Sequence, residues 1–363
     1  MADVAPFRAV RYAEPRASVV APPYDVLSEA ERDQLAARDP HNVVQVTLND
    51  SEEAAGELFR SWLRDGTLVR EETPAVWAIA QDYVGPDGVA RTRRGLVASL
   101  RAEPYETRQV LPHERTHAGP KESRLRLLRA ARAQVEPIFL LHDGTPPVGE
   151  PDGPPQIDVE GTRLWRIETA DAVPAFFADR ELLIADGHHR YETALAYAAE
   201  QGTPESARLL AVLVSTSDPG LEIFATHRVF GGRPELPRTL MEREAGGPGT
   251  VAEALDALAA ASFDRAVAVA YTADGARLLE GAPGELDVEL VDRFGHEGIS
   301  YTPDAREAVR RVDAGEADVA FLLRPTRIED VFARARRGEV LPPKTTYFFP
   351  KLLSGLLFHP LEP

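Results

Sequence analysis

The sequence predicts an α/β fold with mixed sheets and flanking helices. Segments with apolar residues at helical spacing alternate with short apolar, strand-like runs through most of the chain, which is the pattern of α/β proteins. The 363 residues suffice for one or two domains with a sizeable core. Hydrophobic residues make up 44% and charged residues 27% of the chain, which is typical of a soluble globular protein.

The first elements are indicated by local signals. Two consecutive prolines, Pro22 and Pro23, interrupt an extended segment. Ser28 then caps a helix, because Glu31 stands at the reciprocal position of a capping box. We expect a strand at 43–48 and, after it, an amphipathic helix at 51–64 that packs on a sheet.

The middle of the chain continues the alternation. The sequence Gly-Pro-Asp-Gly at 85–88 is a hairpin turn signal between two strands. The proline- and glycine-rich stretch 143–155 is interpreted as an exposed loop. Strands are expected at 76–83, 94–100, 135–141 and 182–184, and helices at 120–134 and 191–201.

A domain boundary is predicted at 231–237, where two glycines and two prolines cluster. Two strands expected to pair with each other, at 209–214 and 221–230, precede it. Beyond it, helices are expected at 251–262 and 304–312, and strands at 266–271 and 319–323. The sequence thus predicts an N-terminal α/β domain, 1–230, and a C-terminal α/β region, 231–363.

Composition excludes several classes of site. The chain has no cysteine, so disulfides, thiolate metal ligands and cysteine nucleophiles are excluded. A net charge of -17 disfavours nucleic-acid binding, since the surface as a whole repels phosphate backbones. No apolar run is long enough to cross a membrane, and the first residues lack the features of a signal peptide. We therefore expect a cytoplasmic protein without a nucleic-acid or membrane partner.

The three lysines are unusual. Lys121, Lys344 and Lys351 are the only lysines among 41 basic residues, and the other 38 are arginines. Lysines that persist in such a composition are candidates for positions where a compact ammonium is required. Chance survival at the surface is the alternative. We expect the three to serve one anion-binding pocket.

The segment Asp186 to Arg190 has the layout of a phosphate site. An apolar strand ends at Asp186, Gly187 lets the backbone turn, and a helix begins with His188 and His189. The N–H groups at a helix start attract anions, whereas cations are unfavourable there unless an anion is bound. We therefore expect Arg190 to contribute to phosphate binding more than to folding. The alternative is a helix cap formed by Asp186 with incidental histidines.

Two further clusters of charged residues have a similar character. In the first, His113 and Glu114 precede Lys121 and Arg124, which lie three residues apart on one helix face. A carboxylate among cations suits a general base or a Mg²⁺ ligand, and a salt-bridged helix start is the alternative. The second cluster is the proline- and aromatic-rich segment 342–351, where two lysines and a threonine suit oxyanion binding. Its candidate ligands are Lys344, Thr345 and Lys351.

These motifs also resemble the landmarks of the domain-of-unknown-function 1015 family, in the family's order and over nearly the whole chain. The matching segments are Ala21 to Val26, His113 to Thr116 with Lys121 and Arg124, Val135 to Phe139, Ile184 to Arg190, Pro342 to Lys351, and Ser354-Gly355. Three residues depart from the pattern associated with relatives, namely Arg115 for a lysine, His117 for an aromatic residue and Phe349 for a tyrosine. This chain therefore lacks that ammonium and that phenol at the corresponding positions.

The Asp-Gly-His-His-Arg block is similar to the one with which ParB-like and sulfiredoxin-like proteins, including free serine kinases, hold nucleotide phosphates. The resemblance implies a nucleotide-binding core in residues 1–230, to which the segment 342–355 returns. The implied phosphate ligands are Asp186, Gly187, His188, His189 and Arg190, together with Lys121, Arg124, Lys344, Thr345 and Lys351.

The expected activity is ATP-dependent phosphate transfer to a small hydroxyl compound, with serine or a similar amino acid as the first candidate. Asp25 or Glu114 would accept the substrate proton, and Glu114 or Asp186 would help to hold Mg²⁺. The alternatives are a phosphatase or other hydrolase in which His113 or His188 acts as acid or base, and a nucleotide-sensing module without turnover. The expected partners are the small substrate and a nucleotide, and the chain is a possible homodimer.

Overall fold

A computed structural model describes residues 2–116, 118–149, 151–231 and 250–362. The chain forms two compact units. The first unit comprises residues 1–85, 89–221 and 350–363, and the second comprises residues 86–88 and 222–349. The last residues of the chain therefore return to the unit that the N-terminal half builds.

The described helices and strands alternate as expected of an α/β protein, and the predicted fold class is confirmed. The helices are α1 Glu29–Arg38, α2 Val44–Thr47, α3 Glu52–Arg64, α4 Ala118–Ala131, α5 Ala172–Ala178, α6 His188–Gln201, α7 Val251–Ala260, α8 Asp287–Asp292, α9 Ala305–Asp313 and α10 Ile328–Arg336. The strands of the first unit are β1 Val4–Ala5, β2 Val10–Tyr12, β3 Leu68–Arg70, β4 Val76–Val84, β5 Ala90–Arg101, β6 Val110–Leu111, β7 Ala133–Gln134, β8 Ile138–His142, β9 Ile157–Val159, β10 Thr162–Ile167, β11 Leu182–Asp186 and β12 Arg208–Ser215, and β20 His359–Pro360. Those of the second unit are β13 Ile223–Phe224, β14 His227–Phe230, β15 Arg265–Thr272, β16 Gly275–Pro283, β17 Ile299–Thr302, β18 Val319–Leu322 and β19 Tyr347–Phe348.

A nine-stranded mixed sheet forms the centre of the first unit. Its order is β6-β11-β8-β12-β5-β4-β10-β9, and β1 pairs with β5 beside this path. The pairs β6/β11 and β8/β12 are parallel, and the other pairs are antiparallel. The long hairpin of β4 and β5 confirms the turn predicted at 85–88, and its register runs from Trp77–Val97 to Val84–Ala90.

The sheet buries a continuous apolar core against α5 and α6. Phe177 of α5 and Tyr191 of α6 are fully buried against residues such as Leu140 of β8 and Leu213 of β12. Burial of each such side chain contributes about 1.5 to 3 kcal/mol relative to exposure. The buried residues of α6 therefore fix the start of this helix on the sheet.

Close packing joins α4 to its neighbours. A Cβ atom at Gly56 of α3 would lie 2.4 Å from the carbonyl oxygen of Ala130, so only glycine permits this approach of α3 to α4. On the other side of α4, Arg129 forms a surface salt bridge with Glu200 of α6 at 2.6 Å. These contacts hold the basic helix α4 beside α6.

The C-terminal segment of the chain completes the first unit. Strand β20 pairs with β7, and Phe358 forms an isolated bridge with Val10. The guanidinium group of the fully buried Arg93 donates to the carbonyl oxygen of Pro350 at 2.7 Å. Lys351 is thereby placed by backbone contacts on both sides of it.

The second unit has its own antiparallel sheet in the order β16-β15-β18-β14-β17. Residues of α8 pack in one apolar cluster, and residues of α7 and α9 pack in another. Arg324 and Asp287 form a buried bidentate ion pair with both distances at 2.7 Å. A short pair, β13 with β19, joins the two ends of this unit.

Two predicted elements are wrong. Residues 43–48 were expected to form a strand, but 44–47 form α2, since the Asn42 side chain accepts from Val44 N and donates to the carbonyls of Ser18 and Val20. The segments 209–214 and 221–230 do not pair, because β12 lies between β8 and β5, whereas β14 pairs with β17 and β18. Most of the predicted boundary at 231–237 lies outside the described residues.

Within the described ranges, every helix is too short or too polar to serve as a membrane span.

Buried histidines are a more informative feature of the fold. Burial lowers the pKa of His113, His227 and His359 to about 4. All three are therefore neutral in the folded protein at pH 7.

Acid is expected to destabilise the protein between pH 6.5 and 4. In this window the unfolded chain binds protons that the folded chain does not, so stability is present above pH 6.5 and is lost as the pH falls toward 4. The free energy of unfolding should be lower at pH 5 than at pH 7 by about 1 to 2 kcal/mol per buried histidine. Urea unfolding of the wild type at both pH values measures this difference in the free energy of unfolding.

The matched variants are His359→Gln, which removes one buried histidine, and His296→Gln, which removes an exposed one. The first should reduce the pH dependence by more than the second. Equal stability of the wild type at pH 5 and pH 7 would contradict the assignment of neutral, buried histidines.

Candidate functional site

The junction of β11 and α6 is the structural centre of the candidate site. Four apolar residues of β11 are buried in the sheet, and the strand ends at Asp186. Gly187 has a φ of 97°, a left-handed conformation that glycine adopts without strain. Helix α6 starts at His188, and no side chain caps its N-terminus. The first turn of the helix therefore lacks the usual side-chain acceptor for its N–H groups.

Asp186 lies between two cations. Its Oδ1 accepts from the Lys351 ammonium at 2.5 Å, and its Oδ2 accepts from the Arg190 guanidinium at 2.7 Å. Burial alone would raise the pKa of Asp186, but Lys351 and Arg190 outweigh it and lower the pKa to about 2. The carboxylate is therefore ionised at every physiological pH, and the strand end carries a fixed ion triad.

Arg190 is placed differently from the sequence-based expectation. It is only 8% exposed, and its guanidinium also donates to the carbonyl oxygen of Pro137, next to β8. The sequence predicted an arginine that stabilises a ligand and contributes little to folding. In the structure, Arg190 in the first turn of α6 pairs with Asp186 at the end of β11, because the turn at Gly187 brings the two largely buried side chains together.

Two buried histidines lie beside this triad. The rings of His113 and His188 are edge to face with centroids 4.8 Å apart, and the backbone N–H of His113 donates to His188 Nε2 at 3.3 Å. His188 Nδ1 lies 3.8 Å from a carboxylate oxygen of Glu114. Burial lowers the pKa of both imidazoles, to about 4 for His113 and well below the usual value for His188. Both rings are neutral at pH 7, whereas His189, the next residue of α6, is only half-buried.

Lys121 also contacts α6. Its ammonium donates to Glu192 Oε2 at 2.8 Å, and the Thr116 hydroxyl donates to the same oxygen at 2.7 Å. Glu192 was not among the residues singled out in the sequence. It lies one turn beyond His188, and this spacing is the only signal that marks its face of the helix.

Arg124 belongs to a second buried cluster. Its guanidinium lies over the Tyr24 ring at 4.3 Å and donates to the carbonyl oxygen of Thr47 at 2.6 Å. Glu136 is 3.9 Å from Arg124 and accepts from the backbone N–H of Tyr24 at 3.1 Å and from the Ser354 hydroxyl at 2.8 Å. Glu136 thus joins three segments of the first unit. The only sign of this role in the sequence is a carboxylate inside an apolar run.

The remaining candidates differ in their surroundings. Asp25 is exposed in the short turn Tyr24–Val26, and its charge acts on Arg190. Lys344 and Thr345 belong to the second unit. There Lys344 is exposed with a φ of 59°, and the buried Thr345 hydroxyl donates to the carbonyl oxygen of Pro342 at 2.7 Å. Lys121 and Lys351 contact the β11–α6 region of the first unit, and Lys344 is a residue of the second unit.

A metal site made of protein ligands alone is not present in the described ranges, where no three histidine or acidic side chains are grouped suitably. The two predicted metal ligands also differ. Both oxygens of Asp186 are engaged by cations. Glu114 is about 40% exposed and is the carboxylate better suited to a Mg²⁺ ion that arrives with phosphates.

Arg190→Ala should destabilise the protein strongly. Loss of the guanidinium leaves the largely buried Asp186 with Lys351 as its remaining cation, and loss of one partner of a buried ion pair typically costs about 3 to 5 kcal/mol. Arg129→Ala removes a surface salt bridge that also ends on α6 and should change the stability little, since exposed ion pairs are screened by water and salt. Thermal and urea unfolding of both variants measure the difference. Similar, small losses for both would contradict the buried triad.

Comparisons with known proteins identify the family but not the activity. The conserved hypothetical protein from Pyrococcus furiosus is 18% identical with a TM-score of 0.38, and the alignment covers 70% of this chain and 92% of that chain. A free serine kinase in complex with AMP is 18% identical with a TM-score of 0.39, at 66% and 83% coverage. C-terminally truncated SbnI from Staphylococcus aureus is 12% identical with a TM-score of 0.42, at 73% and 87% coverage.

These TM-scores are too low to establish a shared fold, and no curated protein matches the chain. The family model described as "Protein of unknown function (DUF1015)" matches residues 4–277, which is most of the chain. This match confirms the family resemblance for the motifs that lie within residues 4–277. The chain therefore belongs to the DUF1015 family.

Proposed function

We propose that the protein is an ATP-dependent phosphotransferase that acts on a small hydroxyl compound, with serine or a similar amino acid as the first candidate. The observation that carries the proposal is the uncapped N-terminus of α6 with an ammonium group close to it. This ammonium belongs to Lys351, which is bonded to Asp186, two residues before the helix. Helix N–H groups and lysine ammonium groups are usual partners of phosphate oxygens.

The lysines near the start of α6 keep hydrogen-bond donors for an anion. Asp186 occupies Lys351 and Arg190, and Glu192 occupies Lys121. Each lysine keeps two further N–H donors beyond the one used by its carboxylate. A phosphate can therefore bind Lys351 without breaking the buried triad, and Arg190 stays where it holds Asp186.

Phosphate transfer requires a group that accepts the proton of the substrate hydroxyl. Asp25 is exposed and the Glu114 side chain is about 40% exposed, so either carboxylate can reach a substrate from solvent. Mg²⁺ neutralises phosphate charge when bound, and Glu114 would hold it together with the nucleotide phosphates. Lys121 and Lys351 would neutralise the charge that develops on the transferred group.

The rival hydrolase is less well supported by the histidines. A histidine that protonates a leaving group must carry a proton near neutral pH, but burial keeps His113 and His188 neutral. Both rings are also almost inaccessible to solvent. We therefore assign them to the wall of the site. The second alternative, a nucleotide-sensing module without turnover, differs from a kinase only in activity, so an activity measurement distinguishes the two.

Lys351→Met should lower ATP affinity about ten- to hundredfold, because a charge-assisted hydrogen bond is lost. The matched control is Arg132→Met, which removes an exposed cation from another salt bridge of the C-terminal segment. Calorimetric titration with ATP and ADP measures both variants. Wild-type protein that binds neither nucleotide would contradict the proposal, as would equal affinities in the wild type and Lys351→Met.

The general base is assigned by comparing Asp25→Asn with Glu114→Gln. The variant that lacks the base should lose about 100-fold or more in turnover while it keeps its nucleotide affinity measured without Mg²⁺. The assay follows ADP release with and without serine and other small hydroxyl compounds. ADP release without any acceptor would support the hydrolase, and nucleotide binding without any release would support the sensor.

A further inference from the structure

The first unit contains a second cavity that the proposed phosphate site does not use. Its volume is about 510 Å³, within the range of small-molecule sites. The floor is formed by small and branched side chains of the sheet, such as Ala78, Ala80, Leu96 and Leu213. Residues of the loop after β8 form part of its wall, among them Pro146.

This cavity lies away from the start of α6. Asp186 pairs with Phe139 in the sheet, and His142 of the cavity wall is three residues further along β8. A strand rises about 3.3 Å per residue, so the separation along the strand is about 10 Å. The cavity and the phosphate site therefore present different side chains to their ligands.

The deepest polar group of the cavity wall is His142. The residue has no solvent exposure, and its ring packs edge to face on Phe176 and Phe177. Nδ1 lies 3.0 Å from the carbonyl oxygen of Asp143, so Nδ1 carries the proton. Nε2 is then an acceptor, and no described residue donates to it. A buried acceptor without a donor favours a ligand that supplies one.

The rim of the cavity is cationic and partly aromatic. Arg94 is exposed, and none of the described acceptors takes a hydrogen bond from its guanidinium. Its charge acts on Asp218, whose Oδ1 already accepts two backbone N–H groups. Arg163 lies over the Trp165 ring at 5.6 Å, and both side chains are half-buried in the wall. These flat surfaces suit an aromatic ring, and Arg94 suits a carboxylate.

We infer that this cavity binds a small aromatic acid that carries a hydroxyl group. The ring lies between the apolar floor and Trp165, and the carboxylate pairs with Arg94. The hydroxyl donates to Nε2 of His142, whose ring turns toward the cavity when the ligand binds. The inference depends only on the cavity and not on nucleotide binding or phosphate transfer.

The test uses 2-, 3- and 4-hydroxyphenylacetate as probes, with phenylacetate and 4-methylphenol as compounds that each lack one of the two polar groups. Calorimetric titration of the full-length protein without nucleotide should show binding of at least one hydroxyphenylacetate. Removal of either polar group from the ligand should weaken binding about tenfold or more. The same titration with ATP present separates this site from the phosphate site, since the two ligands should bind together.

Two variants locate the probe in the cavity. Arg94→Ala should weaken binding about ten- to hundredfold, while Arg101→Ala, an exposed arginine at the other end of β5, should not change it. Ala80→Phe fills the cavity and should abolish binding. Arg94 is exposed, so its variant tests the inference even where Ala80→Phe fails to fold. Absence of binding by all three acids at 10 mM, or unchanged affinity in Arg94→Ala, would overturn the inference.

Discussion

The ion triad of Asp186, Lys351 and Arg190 is the constraint on which the first unit depends. A carboxylate at the end of a buried strand is stable only when cations compensate its lost hydration. Arg190 supplies one from the helix that follows the strand, and Lys351 supplies the other from the C-terminal segment. The triad thereby ties three parts of the chain to one point.

Packing explains why these parts meet. Helix α6 is fixed on the sheet by buried residues such as Tyr191, and α4 is held beside it by the close approach at Gly56 and by salt bridges. The C-terminal segment is anchored by Arg93 and by the pairing of β20 with β7. The ion pair depends on this anchoring, since Lys351 reaches Asp186 only because the backbone on both sides of Lys351 is held.

Much of this arrangement was predictable from the sequence, and the rest depended on tertiary contacts. The hairpin of β4 and β5 and the junction at Gly187 carry strong local signals. Residues 43–48 have the composition of a strand, but hydrogen bonds of Asn42 with residues more than twenty positions away fold them into a helix. The pairing of Arg190 with Asp186 was not predicted, because the prediction considered the dipole of α6 and not the carboxylate four residues before Arg190.

The central claim is that the start of α6 binds the phosphates of a nucleotide. A crystal structure of the protein with a non-hydrolysable ATP analogue tests it most directly. The account predicts phosphate oxygens within hydrogen-bond distance of the backbone N–H groups of the first turn of α6 and of the Lys351 ammonium, with the Arg190–Asp186 pair intact. Phosphates bound elsewhere on the protein, with an unoccupied helix start, would contradict it.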